Sequence, residues 1–222
     1  MPFESQPSEN QPSAKSVTPL RQAHRDLTRS RIRSAARDLF YERHYDSTTM
    51  DEIALAAGLR RQTLYLHYKD KAEILTDIIV DWLPKTRNFM ATLPGPKPSY
   101  RQLQQWIDEV TKFVAQERAP LSIILEVRRT SKAHTLMIEH LTTELLGGLG
   151  ENNPPFRETA REHASPLLHA KAVLLLRELI YACDLYLDDP SRDFASALLE
   201  ATARDFYSFL SEDTWVNTSA GS

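Results

Sequence analysis

The sequence predicts an all-α protein. Three observations carry that prediction. Apolar residues recur at i, i+3, i+4 and i+7 in one stretch after another. The chain holds 13 Pro but only 6 Gly, and long tracts free of both run between its short loops. No run alternates apolar and polar residues as a half-buried strand would, and no internal repeat is found.

The elements follow in order. Residues 1 to about 25, opening MPFESQPSENQPSAKSVTP, are polar and rich in Pro and Ser, and are expected to form a disordered arm. They lack the apolar segment of a signal peptide. Ile32, Ala35, Ala36, Leu39 and Phe40 then make the stripe of a helix over about 27–43. After a break at His44-Tyr45-Asp46, Thr49 and Glu52 form a capping box. The helix that follows buries Met50, Ile53, Ala54 and Ala57 and stops at Gly58, a left-handed terminator. Residues RQTLYLHY add two more turns with Leu64 and Tyr68 inward. Helix, tight turn and second helix over residues 49–68 are a helix-turn-helix.

Asp70 and Glu73 read as another capping box, opening a helix through Ile74, Ile78 and Trp82 that Pro84 should kink or end. Residues 93–98, LPGPKP, are a stop. Ser99 and Gln102 cap a helix burying Leu103, Trp106, Val110 and Val114. Pro120 reads as the first residue of the next helix. Helical pattern continues to Leu149 with a break near residue 131. The loop GGLGENNPP leads to one or two turns over 156–163, then to apolar helices over 166–187 and 192–211. Four segments result: the arm (1–25), a helix-turn-helix domain (26–71), a ligand-binding and dimerisation domain (72–211) and a flexible tail (212–222).

Charge divides along the same lines. Residues 20–71 carry 11 Lys and Arg against 7 Asp and Glu, a net +4. Residues 72–222 carry 15 against 21, a net −6. A basic end on an acidic body suits a polyanion at that end. The single cysteine, Cys183, excludes an internal disulfide, lies in an apolar run, and fits a reducing cytoplasm. No run reaches the length of a membrane span.

The stretch GLRRQTLYLHYKDK, residues 58–71, gathers the candidate contacts. A recognition helix reads base edges in the major groove with its N-terminal residues. Arg61 suits guanine, Gln62 suits adenine, and Thr63 can touch a thymine methyl or a phosphate. Arg60 adds a cation. Lys71 begins a helix, where an ammonium and backbone N–H groups hold a phosphate. Thr49 can cap its helix and donate to a phosphate. Arg29 and Arg31 open the first helix toward the flanking backbone, and Arg21 and Arg25 can reach a minor groove from the arm.

Residues 29–75, RSRIRSAARDLFYERHYDSTTMDEIALAAGLRRQTLYLHYKDKAEIL, resemble the DNA-binding domain of the TetR family. The resemblance rests on the AA and LF of the first helix, TT, IA and AG of the second, TLY and HY of the recognition helix, and the lysines and IL leading into the fourth. It implies a homodimeric transcriptional regulator, usually a repressor, that binds a palindromic double-stranded operator and is released by a small effector. It also implies that Tyr65 and His67 contact the DNA backbone. Three residues depart from the family pattern: His44 where Gly is common, Arg60 where Ser or Thr often caps, and Gln62 where a small residue is common.

The last two helices supply the expected dimer interface, at Leu175, Leu179, Leu198, Leu199 and Phe206, because a helix apolar nearly all round is buried on more than one side. Trp82, Phe89, Trp106, Phe113, Met137 and Tyr181 are candidate effector contacts, with Arg128, Arg129, Glu126 and His134 as polar candidates. Effector binding would pivot the helix over 71–92, whose base carries Lys71. His134/His140 and His163/His169 are each six residues apart and face different ways, so no metal is expected. No nucleophile motif, phosphate loop or cofactor fingerprint is present, which leaves no catalytic role and no cofactor to assign. A helical ligand carrier or enzyme with a vestigial helix-turn-helix is the rival class.

Overall fold

The computed structural model describes residues 19–127, 132–159, 161 and 164–211, with no side chains described for 132–134. Among these residues there are ten helices and no strand: α1 (Pro19–Arg43), α2 (Met50–Ala56), α3 (Arg61–Tyr65), α4 (Lys71–Met90), α5 (Tyr100–Gln116), α6 (Arg118–Val127), α7 (Lys132–Leu149), α8 (Pro154–Glu158), α9 (Pro166–Asp188) and α10 (Asp193–Ser211). The N-terminal arm up to residue 18, the tail from 212, and Arg128 and Arg129 lie outside the described residues.

α1 begins eight residues ahead of its expected start at 27, so the last part of the arm is helical. Residues 19–27 bury nothing, and an apolar stripe could not have revealed them. Local bonds support these turns, from Gln22 Nε2 to Asp26 Oδ1 (2.9 Å) and from Thr28 Oγ1 to the His24 carbonyl (2.8 Å). The buried face of α1 is Ile32, Ala36 and Phe40.

His44, at the position where the family pattern commonly has Gly, takes φ 69° in the left-handed region. It sends Tyr45 inward, its ring edge-on to Phe40 at 5.0 Å. The Thr49 capping box is complete: Thr49 Oγ1 accepts from the Glu52 N–H (3.3 Å), and Glu52 Oε2 accepts from the Thr49 N–H (2.8 Å). The bond from the Thr49 N–H, then that from the Thr49 hydroxyl, hold the Glu52 carboxyl below its ordinary value. α2 ends in a Schellman motif. Gly58 at φ 65° donates to the Leu55 carbonyl (3.0 Å), and Leu59 donates to Ala54 (2.8 Å).

α4 is capped by Asp70, whose Oδ1 accepts from the Glu73 N–H (2.8 Å), but the box is displaced by one residue. Glu73 accepts from Lys69 N–H (2.8 Å) instead of from Asp70. Pro84 does not end this helix, which continues to Met90. Pro120 is the third residue of α6 and not the first. Buried Trp82 and Thr86 flank Pro84, and their packing outweighs its one lost backbone bond; Pro120 lies in the first turn of α6, where no helical bond is lost.

α4 packs chiefly against α7 and α1, and α10 against α9 and α5. At Gly148 an added Cβ would stand 2.5 Å from the Arg87 carbonyl, so α7 crosses α4 at backbone distance there. A single apolar core runs from Ile32 in α1 to Leu210 in α10. α1 also packs on α6, so the helix-turn-helix domain sits directly on the larger one.

That core takes in part of the expected dimer interface. Leu175, Leu179 and Phe206 are buried within the protomer, and Leu198 and Leu199 are half-buried. Phe206 lies among Trp106 and Phe156 (centroids 5.7 and 5.8 Å). Other apolar residues of these two helices face outward: Leu167, Leu174 and Tyr181 on α9, and Phe194 and Tyr207 on α10. The three on α9 are spaced by seven residues and share one face.

Candidate functional site

The outer face of α3 presents Arg60, Arg61, Gln62, Tyr65 and Leu66 to solvent, with Thr63 half-buried among them. Leu64 (0% exposed) and Tyr68 (1%) hold the helix to the core from behind. Arg60 stands at the N-cap and makes no side-chain cap bond to the first N–H groups of α3. Arg61 pairs with Asp51 of α2 (2.7 Å) and lies over the Tyr65 ring (5.5 Å). Both partners of that ion pair are more than half exposed, and such pairs contribute about 1 kcal/mol or less. Arg61 can therefore exchange Asp51 for a base edge or a phosphate at small cost.

Behind this face the cations are engaged internally. Lys71 Nζ donates to the carbonyls of Tyr45 (2.7 Å), Asp46 (3.1 Å) and Thr48 (3.2 Å) and sits 4.5 Å over the Tyr45 ring. Its three protons go to these carbonyls, so it clasps the α1–α2 turn, and a phosphate contact would have to draw on one of these bonds. Burial, with Asp70 and Asp46 nearby, pushes the Tyr45 phenol up to about 12. Arg31 donates to the Ala57 carbonyl at the end of α2 (2.7 Å). Arg29 donates to the His67 carbonyl (3.3 Å), pairs with Asp77 (3.2 Å) and covers the Tyr68 ring (4.3 Å). Both arginines thus brace the motif from α1. The Thr49 hydroxyl donates to Glu52 Oε2 (2.8 Å), which takes the proton expected for a phosphate. His67 is half-buried; burial, then Arg25 and Arg29, depress its pKa, so its imidazole is neutral at pH 7.

Asp77 of α4 is a junction the sequence did not single out. It accepts from Arg33 (3.1 Å), Arg29 and the Tyr68 hydroxyl. Burial raises its pKa, but the bonds from Tyr68 and Arg33 and the charge of Arg29 outweigh that and hold it low. Glu126, a candidate for the bundle interior, instead accepts from the Tyr45 N–H (3.1 Å) and lies 3.3 Å from His44 Nδ1. The α1–α2 turn is held from one side by Lys71 of α4 and from the other by Glu126 of α6.

The larger domain encloses a cavity of about 330 Å³ between α4, α5, α6, α7 and α9. Trp82, Phe113, Leu121, Ile124, Leu145 and Leu176 supply apolar wall, with Thr86, Glu117, Tyr181 and Asp184 as polar groups. Burial, then the neighbouring Asp188, raises the Asp184 pKa despite Arg118.

Residues 32–78 match the family model for bacterial regulatory proteins of the tetR family. The helix-turn-helix domain belongs to that family. Among curated proteins, the chain is similar to the HTH-type transcriptional regulator AcrR of Shigella flexneri, with 41% identity over 105 residues, or 44% of this chain and 47% of that protein. It is also similar to the HTH-type transcriptional repressor BepR of Brucella suis biovar 1 (strain 1330), with 42% identity over 52 residues, 23% of this chain and 25% of the other. The chain thus matches about half the length of the first and a quarter of the second. The fold of the whole resembles the crystal structure of a tetR-family transcriptional regulator from Streptomyces coelicolor, with a TM-score of 0.61, 17% identity, and coverage of 83% of this chain and 80% of that one.

Within this tetR-type architecture the expected effector residues divide. Trp82, Phe113 and Tyr181 line the cavity. Phe89 lies behind its wall, stacked on Phe113 at 4.2 Å. Trp106 does not reach it, since its Nε1 donates to Thr92 (3.1 Å) and its ring packs on Phe206. Met137 packs against the core without lining the cavity, while its neighbour Ile138 does line it. Arg128 lies outside the described residues, as does the side chain of His134. Cys183 is buried against Thr111, and burial pushes its thiol up to about 11, so the thiolate is scarce at neutral pH. Among the described residues no group of three potential metal ligands occurs, and no helix is long and apolar enough to cross a membrane.

Proposed function

We propose that the protein is a transcriptional repressor that binds a palindromic DNA operator as a homodimer and leaves it when a small molecule fills the inner cavity. The carrying observation is the solvent-facing row Arg60, Arg61 and Gln62 at the start of α3, behind a capped α2 and the Gly58 turn. A helix end of that kind enters a major groove with its first residues on base edges. Arg61 and Gln62 read bases; Arg60, Thr63 and Tyr65 position the helix on phosphates.

The dimer is assigned to the outward faces of α9 and α10, with Leu167, Leu174 and Phe194 as the apolar anchors. A two-fold pair must place its recognition helices about 34 Å apart. The cavity supports the effector half of the reading through α6. Ile124 and Leu125 line it, and the next residue, Glu126, holds the α1–α2 turn. A ligand acts by preferring one of two α6 positions.

Selection of bound duplexes from a random pool, followed by fluorescence anisotropy over a salt series, tests the reading. A palindromic site bound with a steep salt dependence is expected. Equal, weak affinity for all duplexes would refute it.

A further inference from the structure

We propose that the cavity ligand is an apolar molecule ending in an anionic group, its apolar part in the inner chamber and its head in a second, polar cleft between α1, α4 and α6. This inference rests on the chamber being an effector site. The cleft has a volume of about 360 Å³, and Trp82 and Glu117 belong to its wall as well as to that of the chamber. One layer of side chains thus separates an apolar space from a polar one.

The cleft wall carries the cations Arg33, Arg37 and Lys85 together with Asp81 and Glu117. Its cations already hold carboxylates: Arg33 on Asp77 and Asp81 (3.1 and 3.0 Å), Arg37 on Asp38 (3.2 Å), and Lys85 on Glu117. Asp81 (65% exposed) and Asp38 (58%) are solvated, so these pairs yield to a competing anion at little cost. The Lys85–Glu117 pair stands on the boundary itself. A ligand carboxylate or phosphate that crosses the boundary takes the place of Glu117 on Lys85.

The second observation is independent of charge. Trp82 is 7% exposed, and its indole Nε1–H is buried without an acceptor. A buried donor left unmade is costly, and an acceptor oxygen at the shared wall removes that cost. An ammonium head could not accept that proton.

Calorimetric titration of the full chain with laurate, dodecanol and dodecylamine, the two ions below their micellar concentrations and the alcohol below its solubility limit, tests this. Laurate should bind about ten-fold more tightly than dodecanol, in keeping with a charge-assisted bond, and dodecylamine most weakly. Lys85→Gln should lower laurate affinity about ten-fold and leave dodecanol unchanged; Arg37→Gln should act the same way, more weakly. Thermal melting of both variants checks that they fold. Equal binding of laurate and dodecanol, tightest binding of dodecylamine, or laurate affinity indifferent to both variants would overturn the anionic head while leaving the effector chamber intact. Failure of all three probes to bind would overturn both.

Discussion

Lys71→Met separates the two roles a lysine at the base of α4 can play. Methionine keeps the apolar stem and removes only the ammonium. In the structure that ammonium serves three carbonyls at 2.7–3.2 Å, two of them on the buried residues Tyr45 and Thr48. A hydrogen bond to a charged group contributes about 1.5–3 kcal/mol. Lys71 is only half-buried, and water can replace it at the exposed Asp46, so about 2–4 kcal/mol is expected in all. For a chain of this size that lowers the melting temperature by about 5–15 °C. The salt slope of DNA binding, read by anisotropy at a temperature where the variant is folded, should not change, because no phosphate contact is lost. Unchanged melting together with a slope lowered by about 1 per half-site would refute the clasp and restore Lys71 to the DNA.

Arg61→Ala should cost about 1–3 kcal/mol on the selected operator and much less on scrambled duplex, relaxing preference at one position per half-site; equal losses in anisotropy would remove Arg61 from base reading. Leu174→Glu should turn a dimer into a monomer in analytical ultracentrifugation with little change in melting, since the side chain is 62% exposed in the protomer; a dimer that persists would place the interface elsewhere. Asp77 has a folded pKa below its unfolded one, so its contribution is present above about pH 4 and is lost as pH falls through the lower folded value. Asp77→Asn should therefore be less stable than wild type at pH 7, with the gap closing toward pH 2 in acid melts; a gap independent of pH would show that charge is not what Asp77 supplies.

What was legible in the sequence was what neighbours in sequence decide. The capping boxes at Thr49 and Ser99 involve partners three residues apart, and both are present. Gly58 reads as a left-handed terminator from its place after α2, and His44 stands where the family pattern has Gly; both have positive φ. The roles of Lys71 and Glu126 were not legible, because their partners are carbonyl, amide and imidazole groups 23 to 82 residues away. The start of α1 was hidden because its first turns bury nothing. On α9 an apolar character nearly all round correctly implied burial, but pattern alone could not say which leucines face the protomer's core. Leu175 and Leu179 do, and Leu174 does not.

The succession Ile124, Leu125, Glu126 on α6 places cavity wall and turn clasp within one helical turn. Linkage makes any coupling through so short a connection symmetric. If a ligand weakens operator affinity by some factor, the operator weakens ligand affinity by the same factor. The DNA-bound dimer is then the poorer receptor, and a dissociation constant measured on free protein is tighter than the one the promoter experiences. Induction would begin with the unbound pool and reach the operator as that pool is drawn away.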